Sequence, residues 1–205
     1  MMYTVAKRIF DLAFSAVILV MFLPIVLLLA IWIKSSSAGP VFYRGRRVGL
    51  GGVPFYIFKF RTMVINADQI GGPSTAEDDP RITPVGKFIR RYKLDEIPQF
   101  LNVLMGDMSI VGPRPEVQQY VDMYTEDEKK ILTVKPGITD YASIKYHNEG
   151  EILAGSSDPE QAYLEKIRPG KLKLQLQYVQ NRSFIEDVRI VFETVATLLK
   201  TRAGR

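Results

Sequence analysis

The pattern of apolar and polar positions sets the first forty residues apart from the rest. Leu12 to Ile33 is a 22-residue stretch without a charge, interrupted only by Ser15 and Pro24. As a helix it extends about 33 Å, close to the hydrocarbon thickness of a bilayer. The run is too long for a signal peptide, and Lys34-Ser35-Ser36-Ser37 is a poor cleavage site. Pro24 lacks an amide hydrogen and clashes with the preceding turn. It divides the stretch into halves of 12 and 9 residues, each reaching only mid-bilayer. Lys7 and Arg8 precede the stretch, and Lys34, Arg44, Arg46 and Arg47 follow it. A spanning helix usually carries its basic excess on one side, so equal flanks fit entry and exit by the same face. A kinked span is the other reading, because proline is tolerated in membrane helices.

Beyond this segment the pattern predicts short elements. Val41–Arg44 and Pro54–Arg61 are rich in β-formers, with Gly45, Gly49, Gly51 and Gly52 between them, which predicts a hairpin with a basic loop. Asn66 to Pro84 reads as loop and Val85 to Tyr92 as helix. Leu94, Ile97, Phe100, Leu101, Leu104 and Met105 fall on one helical face across 94–105. Gly112-Pro113-Arg114-Pro115 is a rigid turn, 115–130 an acidic helix, and Pro136-Gly137 a second turn. Residues 138–157 read as irregular, and Pro159 opens a helix. Phe184, Val188, Val191, Val195, Leu198 and Leu199 recur at helical spacing, followed by Lys200, Arg202 and Arg205. Such a helix either lies on a membrane surface or packs on a core.

Composition removes several chemistries. With 205 residues, 47% apolar and 24% charged, the chain is long enough to bury a core and is not disordered. It has no cysteine, which excludes disulfides, a thiol nucleophile and cysteine-type zinc sites. His147 is the only histidine, so sites needing two are excluded. The charge is uneven: net +6 over residues 1–60, −7 over 61–165 and +6 over 166–205. Basic ends suit nucleic acid or an anionic membrane, and the apolar segment favours the membrane with no nucleic-acid partner.

The densest chemistry is Arg90-Arg91-Tyr92-Lys93-Leu94-Asp95-Glu96. Neighbouring residues on a helix point in different directions, so two adjacent carboxylates can take different tasks. One could attack phosphorus while the other holds a divalent cation through hard oxygen ligands. The cations nearby favour the ionised forms. Acids in a first helical turn also simply suit the helix dipole. Lys59, Arg61, Arg90 and Arg114 are candidates for phosphate contact, Arg114 being fixed between two prolines. No P-loop and no dinucleotide-binding glycine motif is present.

Several ordered motifs add to this. Lys59-Phe-Arg-Thr-Met63, the run from Asp79 to Arg91, Leu94-Asp-Glu-Ile-Pro-Gln99 and the run from Asn102 to Pro115 together resemble the monotopic phosphoglycosyl transferases, also called bacterial sugar transferases. The resemblance extends from the basic start to Lys135-Pro-Gly-Ile-Thr139 and suggests the minimal form, without an added multi-span domain. It implies an α+β fold, mostly α-helical with a small β-hairpin. Residues 1–34 would form a re-entrant helix-break-helix membrane hairpin around Pro24. Residues 35–205 would form a cytoplasmic interfacial catalytic domain with a C-terminal amphipathic helix. The implied reaction moves a phosphosugar from a UDP-sugar to undecaprenyl phosphate at the bacterial inner membrane and releases UMP. Asp95 matches the family nucleophile, which would carry the covalent phosphosugar in a ping-pong cycle, and Glu96 matches the Mg²⁺-associated acid. Arg90 and Arg114 match phosphate-site arginines. A non-catalytic membrane-bound assembly subunit of the same fold is the competing reading.

Two departures from the family pattern stand out. Many members have serine before the hairpin proline, where this chain has Leu23. After Thr139 many continue with glycine and a later Gly-Arg, whereas this chain reads Asp140-Tyr-Ala-Ser-Ile-Lys-Tyr-His-Asn-Glu149. Tyr141, Tyr146, Asn148 and Glu149 are the candidates for sugar selection there, and His147 reads as a surface or structural residue.

Overall fold

The computed structural model describes residues 2–203. It opens with α1, Met2–Ser36, an unbroken helix about 52 Å long at helical rise. Pro24 lies inside it, and the helix continues through that point instead of dividing into two. Only residues near its ends are buried: Asp11 and Ser15 on one side, Leu29 and Ile33 on the other. By length and composition α1 could cross a membrane.

Both ends of α1 are held by the rest of the chain. Lys7 pairs with Asp187 at 2.8 Å and donates to the Val111 carbonyl at 2.9 Å. Arg8 donates to the carbonyls of Val103 and Leu104, the last turn of a helix, where a cation suits the dipole. The Ser109 hydroxyl and the Ile110 amide both donate to the Asp11 carboxylate, at 2.8 and 3.0 Å. At the far end, Leu29 and Ile33 pack with Phe60, Val85 and Ile89.

A hairpin follows, β1 (Phe42–Val48) paired antiparallel with β2 (Pro54–Phe60), Tyr43 facing Lys59 and Gly45 facing Ile57. β1 runs four residues further than its β-formers predict. A side chain at Gly45 would lie 2.7 Å from the Tyr43 ring on the same strand, so this glycine leaves room for that ring. The reversal itself uses Gly51 and Gly52, both at positive φ. After the short α2 (Ala67–Ile70) comes α3 (Pro84–Arg91), capped by the Thr83 hydroxyl and opened by Pro84.

The single helix expected over 94–105 is interrupted. A 3₁₀ turn, Leu94–Glu96, precedes Pro98, and α4 covers only Gln99–Met105. Lys93 is left-handed at φ 55° and Pro98 cannot donate to a continuing ladder. Leu101 and Met105 consequently face outward. β3 (Ser109–Val111) then pairs in parallel with β4 (Gly137–Thr139). Between them the expected 115–130 helix is reduced to α5 (Gln118–Val121) and a 3₁₀ turn at Glu128–Thr133. Thr125 and Glu128 exchange backbone-to-side-chain hydrogen bonds, which restarts the chain there.

The supposedly irregular region contains α6 (Tyr141–Lys145), capped by Asp140, and α7 (Glu149–Leu153). Asp158 and Pro159 open α8 (Pro159–Ala162), as expected, and a π turn leads into α9 (Arg168–Asn181). α10 (Phe184–Ala203) closes the described chain. One face of α10 buries Asp187 and Ile190, while Ile185, Phe192, Val195 and Leu199 are exposed. The core-packing reading thus describes one side of it, and the other side is apolar and exposed. Arg205 and the Arg202 side chain lie outside the described residues.

Candidate functional site

The 3₁₀ turn places Asp95 and Glu96 beside β2. Its anchors are Leu94, against the Phe60 cluster, and Ile97, which is buried. The position of β2 is fixed from the other side. Asn102, on α4, donates to the Tyr56 carbonyl at 2.7 Å and accepts from the Phe58 amide at 2.9 Å. One buried side chain therefore holds the strand carrying Lys59 against the helix that follows the acidic pair.

Lys59 lies 2.8 Å from Glu96 and 3.8 Å from Asp95. Arg114 also reaches Glu96 with both terminal nitrogens, one of them on Oε1, the oxygen that Lys59 contacts. The Arg114 backbone is tightly held: its amide donates to Asp140 at 3.3 Å, and the Gln175 amide donates to its carbonyl at 3.4 Å. Upstream, Gly112 and Gly137 approach so closely that a Cβ on Gly137 would lie 2.1 Å from the Gly112 nitrogen. The two chains can pass at that distance only because both residues lack side chains.

The two carboxylates are in different electrostatic states. Burial opposes ionisation of Glu96, but Arg114 and Lys59 outweigh it and hold this carboxyl well below the usual range. Burial pushes Asp95 up, the Glu96 charge adds to this, and Lys59 opposes it. Burial likewise draws the Lys59 ammonium down, against the pull of Glu96. Glu96 raises the Arg114 guanidinium. Asp95 accepts no hydrogen bond among the described residues, and its nearest cation is the 3.8 Å Lys59 contact. Glu96 is a fixed anion between two cations, while Asp95 is the more basic and less encumbered oxygen donor. That is the arrangement a nucleophile and its electrostatic partner require.

Of the other predicted residues, Arg90 sits on the last turn of α3, its guanidinium without a hydrogen bond among the described residues and near enough for its charge to favour the ionised Asp95. Arg61 is elsewhere. It is buried and donates to the Ser37 carbonyl and hydroxyl, both at 2.9 Å, and to the Ala38 carbonyl, capping the end of α1. Pro24 lies in the exposed middle of α1, outside the site. Tyr141 and Tyr146 pack against hydrophobic clusters, and Asn148 donates to Glu151. Glu149 pairs with Lys171 at 2.7 Å. His147 contacts the Ile144 carbonyl. Sequence reasoning gave no role to Asp11, Asn102, Asp140, Lys171 or Gln175. Asn102 opens one of the matching motifs, and Asp11 is the sole acid among the first sixty residues.

No group of three or more His, Cys, Asp or Glu side chains able to hold a metal occurs among the described residues. Asp95 and Glu96 supply hard carboxylate oxygens, which suits magnesium, a cation normally held by one or two carboxylates together with substrate phosphates.

Comparison with known proteins matches residues 2–201 to the bacterial sugar transferase family. The chain is 36% identical over 200 residues to a UDP-N-acetylgalactosamine-undecaprenyl-phosphate N-acetylgalactosaminephosphotransferase of Aeromonas hydrophila, covering 96% of this chain and 44% of that protein. It is 39% identical over 193 residues to a UDP-glucose:undecaprenyl-phosphate glucose-1-phosphate transferase of Escherichia coli K12, covering 92% and 39%. A protein of the same description from Caulobacter vibrioides is 37% identical over 201 residues, covering 95% and 70%. The chain thus spans less than half the length of the first two relatives.

Proposed function

The chain belongs to the bacterial sugar transferase family, and from that premise we propose that it transfers a phosphosugar from a UDP-sugar to undecaprenyl phosphate, giving the lipid diphosphate-sugar and UMP. The single observation that carries the reading is the unequal pair, Glu96 locked between Lys59 and Arg114 beside a freer, more basic Asp95.

The ionised Asp95 attacks the sugar-bearing β-phosphorus of the donor. The P–O bond to UMP breaks, and the departing oxygen takes the electron pair. Lys59, Arg114 and Arg90 surround the charge that accumulates at phosphorus and hold the diphosphate in line. The phosphate of undecaprenyl phosphate then attacks the same phosphorus, and the aspartyl oxygen leaves. The two substrates use one site in turn, which fits a ping-pong cycle. Asp95 and Glu96 would hold Mg²⁺, whose chemistry there is to neutralise the diphosphate.

The acceptor's phosphate lies at headgroup level because its tail is in the membrane. The site must therefore sit at the interface. A membrane segment over residues 1–34 that enters and leaves by one face, with residues 35–205 on the cytoplasmic side of the inner membrane, meets that need. Support comes from the basic residues on both sides of the apolar run and from the attachment of both ends of α1 to the same domain.

The test uses the full chain in lipid nanodiscs. A UDP-sugar donor without acceptor should give a stoichiometric burst of UMP and a phosphosugar adduct on the peptide containing Asp95. UMP release only when both substrates are present, with no adduct, removes the covalent scheme. No release from any donor leaves the assembly-subunit reading.

A further inference from the structure

Gln99 opens α4, three residues beyond Glu96 and four beyond Asp95. It is 0% exposed, and neither its Nε2 nor its Oε1 has a hydrogen-bond partner among the described residues. An amide in that state is costly, because burial has removed its water and supplied nothing instead. An apolar side chain of similar volume would fill the place without that cost. Packing alone therefore does not account for a glutamine here.

The backbone shows where the amide is aimed. The Ile97 amide donates to the Leu94 carbonyl at 3.3 Å, Phe100 to Ile97 at 3.2 Å and Leu101 to Pro98 at 3.0 Å. Each bond spans three residues, which brings residues three apart close to one row. Glu96 and Asn102, the neighbours of Gln99 in that row, both face β2. Glu96 accepts from Lys59 at 2.8 Å, and Asn102 accepts from the Phe58 amide at 2.9 Å. Gln99 therefore faces the strand between them. Long side chains on a helix lean back over the preceding turn, which here is the turn carrying Asp95 and Glu96. The unpartnered amide thus lies behind the acidic pair.

The two acids differ in what they lack. Glu96 already accepts from Lys59 and Arg114, whereas Asp95 accepts no hydrogen bond among the described residues and has only the 3.8 Å contact with Lys59. A donor without an acceptor and a carboxylate without a donor occupy successive turns of one winding, at the spacing that makes helical side chains neighbours.

We propose that Gln99 is the positioning residue of Asp95. When the diphosphate of the UDP-sugar draws Lys59 toward itself, the Asp95 carboxylate turns back and accepts from Gln99 Nε2 with one oxygen. The other oxygen is left facing phosphorus. Gln99 touches no substrate and exchanges no proton. The inference rests on the sugar-phosphate transfer proposed above. The amide is unpaired in the empty site and paired in the loaded one, so it lowers the stability of the free protein and raises the rate of attack.

The experiment compares the wild-type full chain with Gln99→Met in lipid nanodiscs at saturating Mg²⁺. The donor is whichever of UDP-glucose, UDP-galactose, UDP-N-acetylglucosamine and UDP-N-acetylgalactosamine the wild type cleaves fastest. Three quantities are read: the thermal midpoint without donor, the KM for donor, and the single-turnover rate of UMP release at saturating donor. Gln99→Met should keep or raise the midpoint and leave KM unchanged. Its single-turnover rate should fall about ten- to a hundredfold, the scale of one hydrogen bond to a charged group. Gln99→Leu repeats the test with a smaller side chain and should show the same split. A wild-type rate in either variant overturns the inference. So does a lowered midpoint or loss of folding in both, which would mean that the amide already has a partner in the empty protein. A raised KM at an unchanged rate overturns it as well, by placing the amide on the substrate. A wild type that releases UMP from none of the four donors removes the transferase reading together with this inference. A wild type that forms the Asp95 adduct no faster than the variants removes this inference alone.

Discussion

The ammonium of Lys59 lies 2.8 Å from the carboxylate of Glu96, and through that contact one strand residue separates the behaviour of two adjacent acids. Glu96 accepts from both Lys59 and Arg114, whereas Asp95 receives only the longer Lys59 contact. Removing either acid should therefore have different consequences. Asp95→Asn should reduce UMP release by on the order of 10³-fold or more and abolish the adduct, because the attacking oxygen is gone. Glu96→Gln should slow the reaction strongly yet still permit an adduct on Asp95. Both are read by single-turnover UMP release and mass spectrometry of quenched enzyme. An adduct surviving in Asp95→Asn would place the nucleophile elsewhere.

Lys59 also sets the acid limb of activity. Asp95 attacks only as carboxylate, so activity falls as pH drops through its pKa. Burial pushes that pKa up and the Lys59 charge holds it down. Lys59→Met removes the restraint, the pKa rises, and the acid limb of kcat/KM moves to higher pH. A profile measured at saturating Mg²⁺ over roughly pH 5 to 9 reads this directly. An acid limb that stays in place or moves to lower pH contradicts the assignment of that limb to Asp95.

Magnesium should be required for donor cleavage and not for membrane attachment. EDTA should remove UMP release and excess Mg²⁺ restore it, while the protein stays in the membrane fraction because α1 is unaffected. Full turnover in a chelated, metal-stripped sample would remove the cation from the scheme.

Arg61 gives a contrasting prediction. It donates to carbonyls at the end of α1 and contacts neither Asp95 nor Glu96. Arg61→Leu should destabilise the protein by about 1.5–3 kcal/mol, the scale of hydrogen bonds to a charged group. A lowered thermal midpoint with an unchanged KM for donor is the expected pair of results. A raised KM at unchanged stability would return Arg61 to the phosphate site.

These contrasts show what the sequence made legible. Asp95, Glu96, Lys59 and Arg114 were candidates because acids and cations cluster there, but a helix cap and surface charges fit the same residues, and their roles came from the resemblance of the surrounding motifs. Arg61 has the same chemistry and sits two residues from Lys59, where strand alternation would put both on one face, but β2 ends at Phe60 before reaching it. That the end of a long helix needs a cap there is a property of the fold. Lys171 was invisible for a related reason. It is one of two lysines in Lys171-Leu-Lys173, and nothing local marks which one is buried. The 115–130 segment failed differently: an acidic run was read as helix, yet Thr125 and Glu128 satisfy each other's backbone and restart the chain.

The placement of α1 leads to the last prediction. Asp11 is buried against Ser109 and Ile110, and Ile33 is buried against the cluster that contains Phe60. The residues between are largely exposed and apolar, including Val17, Val20, Met21, Leu27 and Leu28. A spanning helix with 22 uncharged residues would carry its two ends to opposite membrane surfaces, and one domain could not hold both. Two attached ends with an apolar middle are what the proposed entry into the lipid from the domain's own side expects. The chain contains no native cysteine, so Met2→Cys and Ser36→Cys, both at exposed positions, give clean reporters. A membrane-impermeant maleimide applied to oriented vesicles should label both from the same side. Labelling from opposite sides would mean that α1 spans, and that one of its two docked ends is released in the membrane.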